Sequence, residues 1–266
     1  MTTPLLSVTN LSKTFSRRGQ SVQAVDNISF SLNAGETWAL VGESGSGKST
    51  TGRLVLGLTS SSAGEIAFEG RPLAGRNAVG WRSVRRDMQM IFQDPLSSLD
   101  PKRTIGYSLE EPLIIHGAGN RKAQVAEMLE QVGLRPQDIA RYPHEFSGGQ
   151  RQRLGIARAL ILKPKLIVCD EPVSALDVSI QSQILNLLMR LQRDYGLAYL
   201  FISHDLNVVR HIADRVGVMY RGSLVEQGKT ADVFATPRHD YTRYLLNAIL
   251  PEYPDTEAET RVAANG

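Results

Sequence analysis

The run Gly42-Glu43-Ser44-Gly45-Ser46-Gly47-Lys48-Ser49-Thr50 sets glycines, one lysine and hydroxyl residues at the spacing G-x-x-x-x-G-K-[ST] of a phosphate-binding loop. Glycines let the backbone curl so that several N–H groups face one phosphate chain, and a helix starting there adds its positive end. Lys48 then reaches the β- and γ-phosphates, and Ser49 offers a hydroxyl to Mg²⁺. A second chemical element is Leu166-Ile167-Val168-Cys169-Asp170-Glu171, an apolar strand ending in two acids. In phosphate-loop ATPases such a strand lies beside the loop strand. Its terminal Asp holds Mg²⁺, directly or through water, and the next residue, here Glu171, faces the attacking water as general base. A third is Ser147-Gly148-Gly149-Gln150-Arg151, an S-x-x-Q capping pattern whose paired glycines admit an anion close to the backbone.

These residues need particular elements to hold them. The apolar run 37–41 before the loop reads as a buried strand, and 51–58 after it as a helix. The runs 88–92, 166–169, 199–202 and 215–219 are short and apolar; with helices for company they predict a mostly parallel sheet. Residues 5–10 and 24–32 alternate apolar and polar residues, and 64–70 joins them as a third strand of an antiparallel sheet. Between 93 and 147 the pattern turns helical, with helices over 109–116 and 121–132. The expected organisation is one α/β domain over 5–250 with a helical subdomain at about 94–155, then a polar, disordered tail over 251–266.

Bulk properties narrow the function. The chain has 266 residues, 30 Lys+Arg and 27 Asp+Glu, for a net charge of +3, too balanced to imply nucleic-acid binding. No run of apolar residues is long enough to span a membrane, and residues 1–4 lack a secretory pattern. A single cysteine, Cys169, excludes an internal disulfide and a multi-cysteine metal site, and is read as a small core residue. These features predict an intracellular protein.

Taken together, the three motifs resemble those of the ABC (ATP-binding cassette) ATPases. The signature reads Phe146-Ser147-Gly148-Gly149-Gln150, with Phe146 where the family more often has Leu. The resemblance covers about residues 5–250. It implies a phosphate-loop core with a mostly parallel sheet, an N-terminal antiparallel β subdomain and an inserted helical subdomain. It assigns Gln93 to sensing Mg²⁺, Asp177 of Ser174-Ala175-Leu176-Asp177 to the loop crossing the dimer interface, and His204 to the γ-phosphate. It places the ring of Phe15 on adenine. ATP and Mg²⁺ are the implied cofactors, with Ser49, Gln93 and Asp170 around the metal and no iron–sulfur cluster. Ser147, Gly148, Gly149 and Gln150 are implied to act across a dimer, covering the ATP held by the partner's phosphate loop.

Further strings look like the oligopeptide/dipeptide/nickel importer branch, and within it the F-type ATPase. They are Gln93-Asp94-Pro95-Leu96-Ser97-Ser98-Leu99-Asp100-Pro101, Arg141-Tyr142-Pro143-His144-Glu145 and Arg238-His239-Asp240-Tyr241-Thr242-Arg243-Tyr244-Leu245-Leu246. In the last, Asp240 replaces the branch's Pro. The resemblance implies an ATPase subunit at the cytoplasmic face of the membrane. Its partners would be two permeases, a second ATPase of D type and a solute-binding protein, with no nucleic acid. Short peptides are the leading cargo and nickel or a metal chelate the alternative. A soluble, non-transport ABC ATPase is the alternative of another class.

Overall fold

The computed structural model describes residues 3–17, 20–73 and 81–248. In chain order the elements are β1 (Leu6–Arg17), β2 (Gln20–Leu32), β3 (Thr37–Val41), α1 (Lys48–Val55), β4 (Ala63–Phe68), β5 (Arg71–Pro72), α2 (Trp81–Asp87) and β6 (Met88–Ile91). Then come α3 (Ile105–Ile115), α4 (Arg121–Gln131), α5 (Gly148–Leu160), β7 (Leu166–Asp170), α6 (Val178–Tyr195), β8 (Ala198–Ser203) and α7 (Leu206–Ile212). β9 (Arg215–Tyr220), β10 (Ser223–Lys229), α8 (Thr230–Ala235) and α9 (Asp240–Asn247) complete the described chain. The expected tail, 251–266, and the last two residues of the expected 5–250 domain lie outside the described residues.

The fold is α/β. One sheet, ordered β2-β1-β4-β5, is antiparallel throughout. The other runs β10-β9-β3-β8-β7-β6, and all its neighbours pair in parallel except β10 and β9. The strand that ends at Asp170, β7, is therefore not beside the loop strand β3 as expected: β8 pairs with both and lies between them, and the adjacency of two strands cannot be read from their order in the chain. β3, β7 and β8 are buried along their whole length, as continuous apolar runs must be when both faces of a parallel sheet are covered. Alternate residues serve alternate layers. Trp38 and Leu40 of β3, Leu166 and Val168 of β7, and Leu200 and Ile202 of β8 pack with Leu6, Leu11 and Phe68 of the antiparallel sheet. Ile167, Cys169, Tyr199 and Phe201 face the opposite way, into a core shared with α3, α4, α5 and α6. Ala39 and Val41 meet Leu206, Val209, Val216, Tyr241 and Leu246. Trp38 stacks on Phe30 with ring centroids 4.3 Å apart, joining the two sheets.

β1 and β2 run farther than the alternation predicts. Their pairing slips between Val8 and Leu11, Leu11 and Lys13, and Lys13 and Thr14, and Asn10 takes a positive φ of 48°. Each bulge breaks the two-residue period on which the sequence reading relied. β10, a polar edge strand, gave no apolar run to find. In the helical region α3 and α4 lie on the expected stretches, while α5 runs unbroken through residue 155 to Leu160. Among the described residues, no helix is long and apolar enough to cross a membrane.

Candidate functional site

β3 delivers the chain into the loop at 42–47, and α1 receives it. Gly42 sits at φ 148°, where an added Cβ would come within 2.2 Å of the Met219 carbonyl oxygen. Gly47 sits at φ 108°, where a Cβ would meet the Ala24 carbonyl oxygen at 2.3 Å. Both positions therefore demand glycine for conformation and for space. The loop is gripped from outside as well: the Gly222 N–H donates to Ser46 O at 3.0 Å, and the Asp26 N–H to Gly222 O at 2.8 Å. Gly47 caps α1 without a side-chain acceptor, so the N–H groups of the first turn face an incoming anion.

Lys48 is 5% exposed. Its ammonium donates to Gly42 O at 2.7 Å and to Glu43 O at 2.8 Å. Burial holds its pKa below the usual lysine range, against the opposing pull of Glu171, Asp170 and Glu43. Ser49 Oγ donates to Asp170 Oδ1 at 2.7 Å. Burial pushes the Asp170 carboxyl up, while the Ser49 hydrogen bond and the Arg53 charge pull it down.

The parallel register brings the next group together. β6, β7 and β8 lie side by side and point the same way, so Gln93, Glu171 and His204 emerge from their C-terminal ends. Glu171 is at φ 48°, a sparsely populated conformation for a non-glycine residue. Three bonds hold it there: its N–H donates to Ile202 O at 3.0 Å, and its carbonyl accepts from Ser174 N at 3.3 Å and Ser174 Oγ at 3.1 Å. Glu171 Oε2 lies 3.1 Å from His204 Nδ1 and 3.5 Å from Gln93 Nε2. Gly42, Glu43, Ser44, Gly45, Gly47, Lys48, Ser49 and Thr50, with Gln93, Glu171 and His204, line one cavity of about 630 Å³. Ser46 is buried beneath it and Asp170 reaches it through Ser49.

The cavity pairs an amide-lined cradle and a lysine with a carboxylate held against a histidine. That combination suits a polyphosphate and attack by water upon it. Ser49, Asp170 and the side-chain oxygen of Gln93 are hard oxygen donors beside a phosphate cradle, a set that fits Mg²⁺. Cys169 lies buried in β7, and burial pushes its thiol up, away from the reactive thiolate.

Other expected residues stand apart. Ser147 Oγ accepts from Gln150 N at 3.4 Å, and Ser147 N donates to Gln150 Oε1 at 3.0 Å, closing the capping box read from the sequence. This helix start does not line the phosphate cavity; Gly148 borders a separate space of about 110 Å³ with Gln93, Pro95 and Leu176. Gly149 also has a packing duty, since a Cβ there would press on Ile180 Cγ2 of α6 at 2.7 Å. Asp177 occupies the N-cap position of α6 and is exposed. Phe15 is 45% exposed on β1, outside the cavity lining, with the Lys13 ammonium 4.9 Å from its ring centre. Conversely, Ala24 and Leu245 line the cavity and Tyr241 touches the loop. Spacing gave no sign of these three, since they lie far from the loop in sequence.

Residues 25–174, more than half of the chain, match the sequence model of a family described as ABC transporter. Glutathione import ATP-binding protein GsiA of Salmonella paratyphi A is 57% identical over 251 residues, covering 93% of this chain and 40% of that protein. Its counterpart from Shigella dysenteriae serotype 1 is 54% identical over 269 residues, covering 97% of this chain and 43% of the relative. The chain thus spans about two fifths of the length of these curated relatives. Among solved structures, cbiO1 from Clostridium perfringens, part of the ABC transporter complex cbiONQ, superposes with a TM-score of 0.78 at 27% identity. That match covers 87% of this chain and 91% of cbiO1. The dimeric ATP-binding cassette MJ0796 bound to ADP and Pi gives 0.77 at 29% identity, over 85% of this chain and 98% of that one.

Proposed function

Since the chain belongs to the ABC transporter family, we propose that it is the ATP-hydrolysing nucleotide-binding subunit of an importer that takes up short peptides through membrane permeases. The observation that carries this reading is the meeting of Lys48, Ser49–Asp170 and Glu171–His204 around one cavity. The name shared by the relatives favours a small peptide such as glutathione as cargo.

In this reading the loop N–H groups and Lys48 bind the β- and γ-phosphates. Ser49 and Asp170, with Gln93, would hold Mg²⁺, which when bound neutralises phosphate charge. Glu171 Oε takes a proton from water as the water oxygen attacks the γ-phosphorus; the bond from that phosphorus to the β–γ bridging oxygen breaks, ADP leaves with the electron pair, and inorganic phosphate forms. His204 orients that carboxylate and meets the γ-phosphate, and Phe15 stacks on adenine. Ser147, Gly148, Gly149 and Gln150 of a second ATPase, a D-type paralogue, cover the far side of the nucleotide, with Asp177 at the same interface. ATP then makes contacts only the closed dimer offers, and hydrolysis removes them.

The protein would sit at the cytoplasmic face of the membrane. Its permease contact would be the groove lined by Leu58, Met90, Phe92, Pro112 and Arg158, with a solute-binding protein completing the system and no nucleic acid involved. A chain whose one cysteine is buried in β7 offers no ligands for an iron–sulfur cluster. Glu171→Gln tests the reading: ATP binding should persist while steady-state hydrolysis falls by about 10²–10⁴. Wild-type turnover by that variant would remove Glu171 from the role of base.

A further inference from the structure

The phosphate loop touches an element that the reaction described above does not use. We propose that Tyr241 is a positioning residue for nucleotide binding: α9 delivers its hydroxyl to the Glu43 N–H and so fixes the start of the phosphate loop. The proposal rests on the reading that this loop binds ATP.

Glu43 is held at both ends of its peptide units. Its N–H donates to Tyr241 Oη at 3.1 Å. Its carbonyl accepts from Lys48 Nζ at 2.8 Å and from Ser46 N at 3.2 Å. The lysine is a temporary partner, because an ammonium that turns towards a phosphate gives up carbonyls at the start of the loop. The Ser46 N–H and the tyrosine hydroxyl remain, and of these two only the hydroxyl comes from outside the loop. It therefore keeps Glu43 in place while Lys48 changes partners.

The hydroxyl is itself rigidly carried. The Tyr241 ring is 9% exposed and lies 4.2 Å from the Tyr220 ring of β9, next to the Met219 carbonyl that packs on Gly42. Glu226 of β10 accepts the N–H groups of Arg238 at 2.8 Å and His239 at 3.0 Å. His239 Nδ1 accepts the Tyr241 N–H at 3.2 Å, capping α9. Arg243 donates to the carbonyls of Pro237 at 3.0 Å and Arg238 at 2.9 Å. Leu246 is buried in the core and Leu245 lines the cavity. Burial raises the Tyr241 phenol above its usual value, so the side chain stays neutral where it packs. An oxygen held by so many fixed bonds organises its partner before the ligand arrives.

Coupling of this kind is reciprocal: if α9 tightens the loop for nucleotide, nucleotide steadies α9. The test titrates ATP into the full chain by calorimetry for the wild type, Tyr241→Phe and Lys48→Ala. Tyr241→Phe keeps the ring and its stacking and deletes only the hydroxyl. Its Kd for ATP should rise about 2- to 10-fold, the worth of one neutral hydrogen bond. In the assembled transporter KM for ATP should rise by the same factor while kcat changes less than about twofold. Hydrogen exchange supplies a second readout: ATP should slow exchange over 240–247 in the wild type and do so less in Tyr241→Phe. Wild-type affinity in Tyr241→Phe, beside lost binding in Lys48→Ala, would overturn the positioning role and leave the phosphate-loop reading standing. An affinity loss matched by an equal loss of ligand-free thermal stability would overturn it too, by making the hydroxyl a general structural bond. Unchanged ATP binding in Lys48→Ala would strike the underlying reading instead.

Discussion

Among the described residues, the helix starts at α1 and α5 both carry glycine, and they are built in opposite ways. At α1, Gly47 provides no side-chain cap, and the turn around it is clamped by Ala24, Gly222, Met219 and Tyr241, all remote in sequence. At α5, Ser147 and Gln150 cap each other, with two bonds inside four residues, and Ser147 and Gly148 stand exposed. The first has free N–H groups and needs the rest of the protein to keep them aimed. The second caps two of its own N–H groups, those of Ser147 and Gln150, within four residues and presents Ser147 and Gly148 outwards. In the proposed function the α1 start binds phosphate with N–H groups that its own side chains leave free, whereas the α5 start, proposed to complete a site on another subunit, would hold its shape by its own cap. That contrast gives a physical reason for expecting half a site at each end and a dimer to join them.

The comparison breaks first at Lys48. Lys48→Ala removes the buried cation of the proposed phosphate cradle, and ATP affinity of the isolated chain should fall by at least about 30-fold. Calorimetry checks this, and affinity within a few-fold of wild type would show that the α1 end is not the phosphate site. A change at the α5 end should behave differently. Gly148→Asp suits a helix first turn, where a carboxylate favours the dipole, and a Cβ there meets only Leu176 at an ordinary 3.8 Å. The isolated chain should therefore bind ATP as before, while the ATPase of the assembled dimer drops about tenfold or more, because in the proposed dimer the new charge would face the partner's nucleotide. Equal loss in both assays would collapse the distinction between the two ends. Gly149 is the poorer probe because its contact with Ile180 mixes packing with chemistry.

The smallest effect concerns how the α5 end is supported. Arg141 lies 4.3 Å over the Phe146 ring and also pairs with Asp138 at 3.2 Å. The Arg135 hydrogen bond, with Arg141 behind it, holds the Asp138 carboxyl below its usual 3.8. A depressed carboxyl stabilises the fold above its unfolded pKa, and that contribution disappears as pH falls through the folded value. Asp138→Asn should therefore unfold slightly more easily than wild type at neutral pH. The two stability curves should converge as the pH falls below about 3.8. Thermal melts across that range test this, and the gap should be small, since Arg135 is well exposed and its pairing is screened by solvent. A gap that persisted at the acid end would mean the loss is one of packing.

The sequence by itself determined the parts of this protein whose geometry is written within a few neighbours. The phosphate loop needs glycine at two fixed places, and the sequence has it. The β7 strand must be apolar until it reaches Asp170 and Glu171, and it is. The Ser147–Gln150 box spans four residues and forms as read. Order along the chain then made the family legible. Only the tertiary structure decided how closely Gln93, Glu171 and His204 meet beyond the ends of β6, β7 and β8, how Glu171 holds its positive φ by bonding to Ile202 and Ser174, and why Gly149 must be small against Ile180. It alone joined Tyr241 to Glu43, residues 198 positions apart. It alone ran β1 through its bulges beyond the period that marked it. Periodicity and turn chemistry report on the local backbone, whereas parallel register, close approach and long-range hydrogen bonds exist only once distant segments have packed.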